Sequence, residues 1–277
     1  MPSIALDRLL TTKSKSLTEN FIKEFFVFGI KQALSCIFPV FIFTILLFSK
    51  FIHIPFLPRY DFLLIACVSM QALMYFTKME TLDELLVICM FHLIGLCMEI
   101  YKVHMGSWSY PEQAYTKVFN VPFYSGFMYA SVASYLCQAW RRFDLKIEGW
   151  PGDGPAIFVA AIIYANFFSH HFIYDLRYVI IALMIVVFFK TKFLFTPIKK
   201  QRSIPLLVSF FLVGFFVWIA ENIATFFGAW QYAYQHAGWH VVTTGKITSW
   251  FLMIVISIII VIELKFIKER REDKKKL

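Results

Sequence analysis

Two glutamates, Glu99 and Glu221, head the same spaced pattern. Glu99-Ile-Tyr-Lys-Val-His-Met-Gly106-Ser-Trp108-Ser-Tyr110 and Glu221-Asn-Ile-Ala-Thr-Phe-Phe-Gly228-Ala-Trp230-Gln-Tyr232 both read E-x6-G-x-W-x-Y. A carboxyl group sheltered from water can give or take a proton during a reaction, and a second carboxylate nearby helps keep one of the pair protonated. Indole and phenol rings at a fixed distance supply donors, apolar walls and π faces for a positive charge. Each half also has a plainer reading. Glu99 can pair with Lys102 one helical turn on, and Glu221 can cap backbone together with Asn222 and Thr225. Trp and Tyr belong to membrane interfaces, and Gly ends helices. Recurrence of the whole spacing favours a pocket in which Trp108 and Trp230 shield the carboxylates.

Other polar groups gather around these motifs. His53, His104, His170, His171, His236 and His240 fall on the side of the chain where the two motifs open. His92 lies deeper, seven residues before Glu99 on the same helical face, as core or pocket floor. Asn166 precedes His170 and His171 by about a turn, and Asp175 follows them. The candidate site is therefore Glu99 and Glu221 as acid–base groups. Around them stand His92, His104, Trp108, Tyr110, Asn166, His170, His171, Asp175, Asn222, Trp230 and Tyr232. His236-x3-His240 sits in a Gly-containing loop, and the paired histidines have no third partner at a set spacing, so no metal is expected. The five cysteines lie in apolar runs without disulfide or CxxC spacing. No phosphate loop, nucleophile elbow or dinucleotide fingerprint appears, and the residues name no cofactor.

The elements that must position these groups are membrane helices. Hydrophobic residues make up 59% of the chain and charged residues 16%, with a mean hydropathy of +0.66, too little charge to cover a soluble domain. Eight apolar stretches approach the roughly 20 residues that cross a bilayer: about Phe25–Phe48, Asp61–Thr77, Leu82–Tyr101, Phe123–Trp140, Pro155–Phe172, Tyr178–Phe195, Ile204–Phe226 and Thr248–Ile267. Pro39 is placed to kink the first. Residues 1–24 read as a cytoplasmic lead-in with an amphipathic face at Leu9, Leu10, Phe21 and Ile22. The net charge of +9 is distributed as an orientation signal, not as a nucleic-acid surface: with both ends inside, 20 of the 27 Lys and Arg lie on the cytoplasmic side. Six face outward, and Lys31 sits within the first helix.

The motif pair and the helix count predict an all-α tandem 4+4 repeat: residues 25–140, a basic cytoplasmic loop 141–154, residues 155–267, and a basic tail 268–277. A weaker match, Tyr60-Asp61 with Tyr174-Asp175, falls at nearly the same offset. Four helices return the chain to its starting side, so the two halves share an orientation, as in parallel-repeat transporters. Both motifs then open outward.

The runs Gly106-Ser-Trp-Ser-Tyr-Pro-Glu112, Val121-Pro-Phe-Tyr-Ser-Gly-Phe-Met-Tyr129, Asn166-Phe-Phe-Ser-His-His171 and Ala220 to Tyr232 resemble a bacterial membrane family, domain of unknown function 817, over nearly the whole chain. That resemblance implies a multi-pass protein of a bacterial inner membrane and no particular activity. The E…GxWxY pattern is also similar, more distantly, to lycopene cyclase and carotenoid hydratase membrane enzymes, whose fuller acidic signatures are not evident here.

Three functions fit: an enzyme on a lipid-soluble, isoprenoid-like substrate; a proton-coupled small-molecule transporter; or a structural protein whose polar residues fix helix packing. The partners expected are the lipid bilayer and a small-molecule substrate, with no nucleic acid. A reporter fused to the C-terminus is expected to be active on the cytoplasmic side only, and an external signal would overturn the topology.

Overall fold

In a computed structural model of the chain, residues 17–276 are described, with their side chains from 21 to 266. The first sixteen residues, including Leu9 and Leu10, and the side chains of the basic tail lie outside the described residues. Phe21 and Ile22 are exposed.

The chain opens with α1 (Leu17–Ser35) and α2 (Ile37–Phe48), bent by 61° at Cys36. Pro39 accounts for the break, because its ring clashes with the carbonyl four residues back, that of Ser35, where α1 ends. Next come α3 (Arg59–Phe76) and α4 (Leu82–His104). Thr81 starts α4 with a capping box, its side chain accepting from Glu84 N–H while the Glu84 carboxylate accepts from Thr81 N–H. A hairpin of β1 (Lys117–Val118) and β2 (Val121–Pro122) leads to α5 (Gly126–Phe143). Its two turn residues, Phe119 and Asn120, both have positive φ, as tight hairpins require. The second half holds α6 (Asp153–Ser169), α7 (Arg177–Phe188), α8 (Leu206–Phe226) and α9 (Gly245–Lys276).

The all-α expectation needs correction. A three-stranded antiparallel sheet, β3 (Lys146–Glu148), β4 (Lys192–Phe195) and β5 (Arg202–Pro205), closes the end of the bundle opposite the motifs. Residues 192–195, read from the sequence as the end of a helix, are strand, with Phe193 between Ile147 and Ile204 in register. Pro205 delays the following helix to Leu206, since a residue before proline is steered away from helical geometry.

Among the described residues, three helices are long and apolar enough to cross a membrane: α4, α8 and the Gly245–Phe266 part of α9. The bent α1–α2 pair makes a fourth span if counted as one. Each of the eight apolar stretches contains a helix, but not all pass this test. α6 and α7 are shorter apolar helices; α7, with 12 residues, reaches only about 18 Å of a core about 30 Å thick. α3 carries Arg59, Asp61 and Gln71, and α5 carries Ser131, Ser134 and Gln138, which lower their hydropathy.

The two glutamate motifs end α4 and α8 in the same way. Gly106 and Gly228 adopt φ of +68° and +70°. Ser107 N–H bonds Lys102 O, and Ala229 N–H bonds Ala224 O, each reaching back five residues to close a Schellman cap. Beyond the caps the segments meet directly. Ser109 and Gln231, each the tenth residue after its glutamate, exchange N–H···O bonds of 2.9 Å in both directions.

Cations of the first half cap helices of the second. Arg59 donates to Phe227 O and Gly228 O, and Lys50 to Phe226 O, at the end of α8. Lys102 donates to Phe167 O, and Tyr101 to Phe168 O, near the end of α6. These carbonyls would otherwise lack partners, and positive charge suits the negative end of a helix. The Tyr60-Asp61 and Tyr174-Asp175 pair is not matched in surroundings: Tyr60 is fully buried while Tyr174 is 91% exposed.

Close packing of α4 on α5 depends on Gly95, where an added Cβ would lie 2.3 Å from the Tyr129 ring. Gly95→Ala is expected to lower stability by about 1–3 kcal/mol through overpacking. Gly29→Ala, which meets nothing within 4 Å, is expected to be neutral or slightly stabilising. Thermal unfolding in detergent checks both, and equal midpoints would refute the packing account.

Candidate functional site

Burial of Glu99 and Glu221 requires donors, and the motifs supply them. Both side chains are nearly inaccessible to water. Glu99 Oε2 accepts from Trp108 Nε1 at 2.6 Å and Tyr110 OH at 2.7 Å, and Oε1 accepts from Tyr129 OH at 2.8 Å. Glu221 Oε1 accepts from Tyr232 OH, and Oε2 from Trp250 Nε1. The Glu-to-Tyr bond thus spans eleven residues in both motifs. The left-handed glycine turn makes it possible by folding the chain back beside its own helix. The tryptophans differ: Trp108 donates to its own glutamate, whereas α9 supplies Trp250 to Glu221.

The carboxylates line one cavity of about 320 Å³. Trp108, Trp230, Tyr232, Asn166 and His170 of the sequence-derived set line it too. So do groups outside the sequence-derived site set: Lys102, Tyr129, Arg177, Lys246, Ser249 and Trp250. Its deeper wall is apolar, with Met128, Ile163, Leu252 and Met253. Trp108 meets Tyr232 edge to face at 6.0 Å, so the aromatic groups of the two motifs interlock across the cavity.

Four residues of the expected set stand one step back. Tyr110 supports Glu99 from behind and packs edge-on against Tyr60 and Tyr124. Burial, followed by the Glu99 charge, raises its hydroxyl well above the usual tyrosine range, so it stays a donor. His171 lies 3.0 Å from Lys102 Nζ. Asp175 is bonded by Arg177 at 2.6 Å and by Asn166 at 3.1 Å. Partial burial pulls its carboxyl up, but the bonds from Arg177 and Asn166 outweigh this and hold it at about 2. Arg177 in turn reaches Gly245 O, Thr248 and Ser249, fixing the start of α9 beside the cavity. Asn222 bonds Trp218 O and Val242 N–H, anchoring the loop before α9 without entering the cavity.

Two histidines are not part of the site. His104 is exposed, because two residues turn the helix about 200° away from the inward-facing Lys102. His92 keeps the face of Glu99 but lies about 10 Å deeper, with its ring 4.5 Å from Phe127 and against Gly126.

Lys102 does not pair with Glu99 as the spacing allowed. It turns to Phe167 O, the two histidines and the Phe167 ring face at 4.1 Å. No sequence signal distinguished Lys246 from the other lysines expected on the outer side, and Trp250 stands outside both motifs. Among the described residues, no group of three or more His, Cys, Asp and Glu is placed to hold a metal ion.

Tyr232→Phe leaves the buried Glu221 one donor short and is expected to cost about 1–3 kcal/mol. Tyr115→Phe, at a side chain 77% exposed, should stay within about 0.5 kcal/mol. Thermal unfolding separates the two, and a neutral Tyr232→Phe would mean that its hydroxyl bond does not hold the carboxylate.

Several known proteins are similar to this chain. The Bacillus subtilis (strain 168) protein YoaT is 54% identical over 253 residues, covering 91% of this chain and 96% of that protein. A crystal structure of MvINS, a mycobacterial Insig homolog from Mycobacterium vanbaalenii, is similar with 13% identity and a TM-score of 0.47, covering 65% of this chain and 92% of that one. A cross-linked trimer of the same protein gives a TM-score of 0.45 at 12% identity, with the same coverage. The likeness to carotenoid enzymes rests on the short motif alone. The family model described as "Protein of unknown function (DUF817)" matches residues 24–258, and the chain belongs to that family.

Proposed function

We propose that the protein is a multi-pass enzyme of the bacterial cell membrane that acts on a lipid-soluble amphiphile. Glu99 and Glu221 are its acid–base pair, in a pocket opening toward the outer face. The observation that carries this reading is the shared cavity: two carboxylates from duplicated motifs line one open recess with an apolar wall and a polar rim. A carboxylate offers about four acceptor positions. Glu99 has three occupied by donors and Glu221 two. Glu221 therefore has the freer capacity to exchange a proton with a ligand, and Glu99 serves as the fixed negative partner.

The tandem 4+4 arrangement with both ends inside is part of this proposal. Exchange of two bonds between equivalent residues, Ser109 and Gln231, is the contact expected on a local two-fold axis.

Transport is less well supported. The deepest lining residue on α9, Met253, lies about 12 Å from the start of that helix at 1.5 Å per residue, short of the midplane about 15 Å down. Stabilisation of a free carbocation by Trp108 and Tyr232 is also disfavoured, because Lys246 already places its ammonium 5.4 Å and 4.8 Å from those ring centroids. Proton transfer near a polar headgroup suits the site better.

Lipid extracts from cells carrying the wild-type chain, Glu99→Gln, Glu221→Gln or no copy test the proposal. A lipid species altered by the wild type and restored to the empty-cell level in both variants is expected, with variant protein levels checked in the membrane. Identical extracts from all four would sink the enzyme reading.

A further inference from the structure

We infer that the cavity takes an amphiphile with an anionic headgroup, carboxylate or phosphate, and that Lys246 binds that headgroup. The inference rests on the cavity being a ligand site, and it names the class of ligand.

Lys246 differs from the other cations around the cavity. Arg177 is held by Asp175, the loop carbonyl of Gly245 and the Thr248 and Ser249 hydroxyls. Lys102 is held by Phe167 O and the two histidines. Lys246 Nζ makes no hydrogen bond or salt bridge among the described residues: it lies over the faces of Trp108 and Tyr232 and feels the Glu221 and Glu99 charges only at longer range. An ammonium has three donors and no acceptor capacity, so withdrawing it from water without partners is costly. Aromatic faces offset part of this and leave all three N–H groups unused.

The nearby carboxylates do not fill that role. Glu99 and Glu221 direct their oxygens to Trp and Tyr donors instead. What remains is a cation at the polar rim, above the apolar wall of Met128, Ile163, Leu252 and Met253. A ligand satisfying both ends has an anionic head and a hydrocarbon body. Lys246 also lies in the first turn of α9, where the helix dipole adds to the attraction for an anion.

The full-length protein in phosphatidylcholine nanodiscs tests this with bromine-tagged probes, since bromine quenches the cavity residues Trp108, Trp230 and Trp250. Undecanoate, undecyl phosphate, undecanol and undecyltrimethylammonium are titrated against the wild type, Lys246→Gln and Lys246→Arg, so that quenching from the bilayer is common to all. The two anions are expected to act at concentrations about 10-fold or more below the alcohol and the cation. That preference is expected to vanish in Lys246→Gln and to survive in Lys246→Arg. Alcohol binding as tight as the anions, or an unchanged preference in Lys246→Gln, overturns the headgroup assignment while leaving the cavity a ligand site. Absence of quenching above the bilayer background with every probe removes the ligand site itself. Inorganic phosphate that competes as well as undecyl phosphate would mean a free-anion site and overturn the amphiphile.

Discussion

Withdrawing a carboxylate from water costs on the order of several kcal/mol unless donors replace its hydration shell. Two such groups sit near the ends of α4 and α8, and much of the surrounding structure supplies their donors. The left-handed turns at Gly106 and Gly228 send the chain back along the helices it has just left. Tyr110 and Tyr232 then reach the glutamates eleven residues earlier. The Ser109–Gln231 bridge holds the returning segments together, and the aromatic side chains that satisfy the carboxylates become the walls of the space between them. One constraint, charge burial, thus produces helix ends, loop path and cavity together.

The halves are alike where backbone geometry is concerned and differ where the chemistry is finer. Both helices end in the same cap and place a tyrosine on the glutamate. Only Glu99 receives a tryptophan from its own motif and a third donor from α5. Glu221 depends on Trp250 from α9 and stands closer to the cation of Lys246, whose charge is felt by it. Arg59, Lys50 and Lys102, by capping helices of the opposite half, bind the halves through polar contacts at one end of the bundle. Apolar packing against lipid gives little net association there.

The sequence by itself determined the helical membrane class, the broken first helix at Pro39, and the two glutamates with their Gly, Trp and Tyr partners. Those features are local: hydropathy over about 20 residues, a missing N–H, and a spacing that folds back within a dozen positions. The carboxylate pair could be found because burying charge is rare enough in apolar helices to stand out.

Tertiary structure decided the rest. Lys246 looked like any lysine on a loop, and its neighbours Trp108 and Tyr232 come from different segments of the chain. Trp250 and Tyr129 are donors only because α9 and α5 pack against α8 and α4. Strand β4 was hidden at the end of an apolar run, since a short buried strand and a helix end share the same composition. His104 and His92 were misassigned because angular phase and depth depend on where the cavity closes. A pattern along the chain reports which groups are costly to bury, but which partners meet that cost is fixed only when distant helices come together.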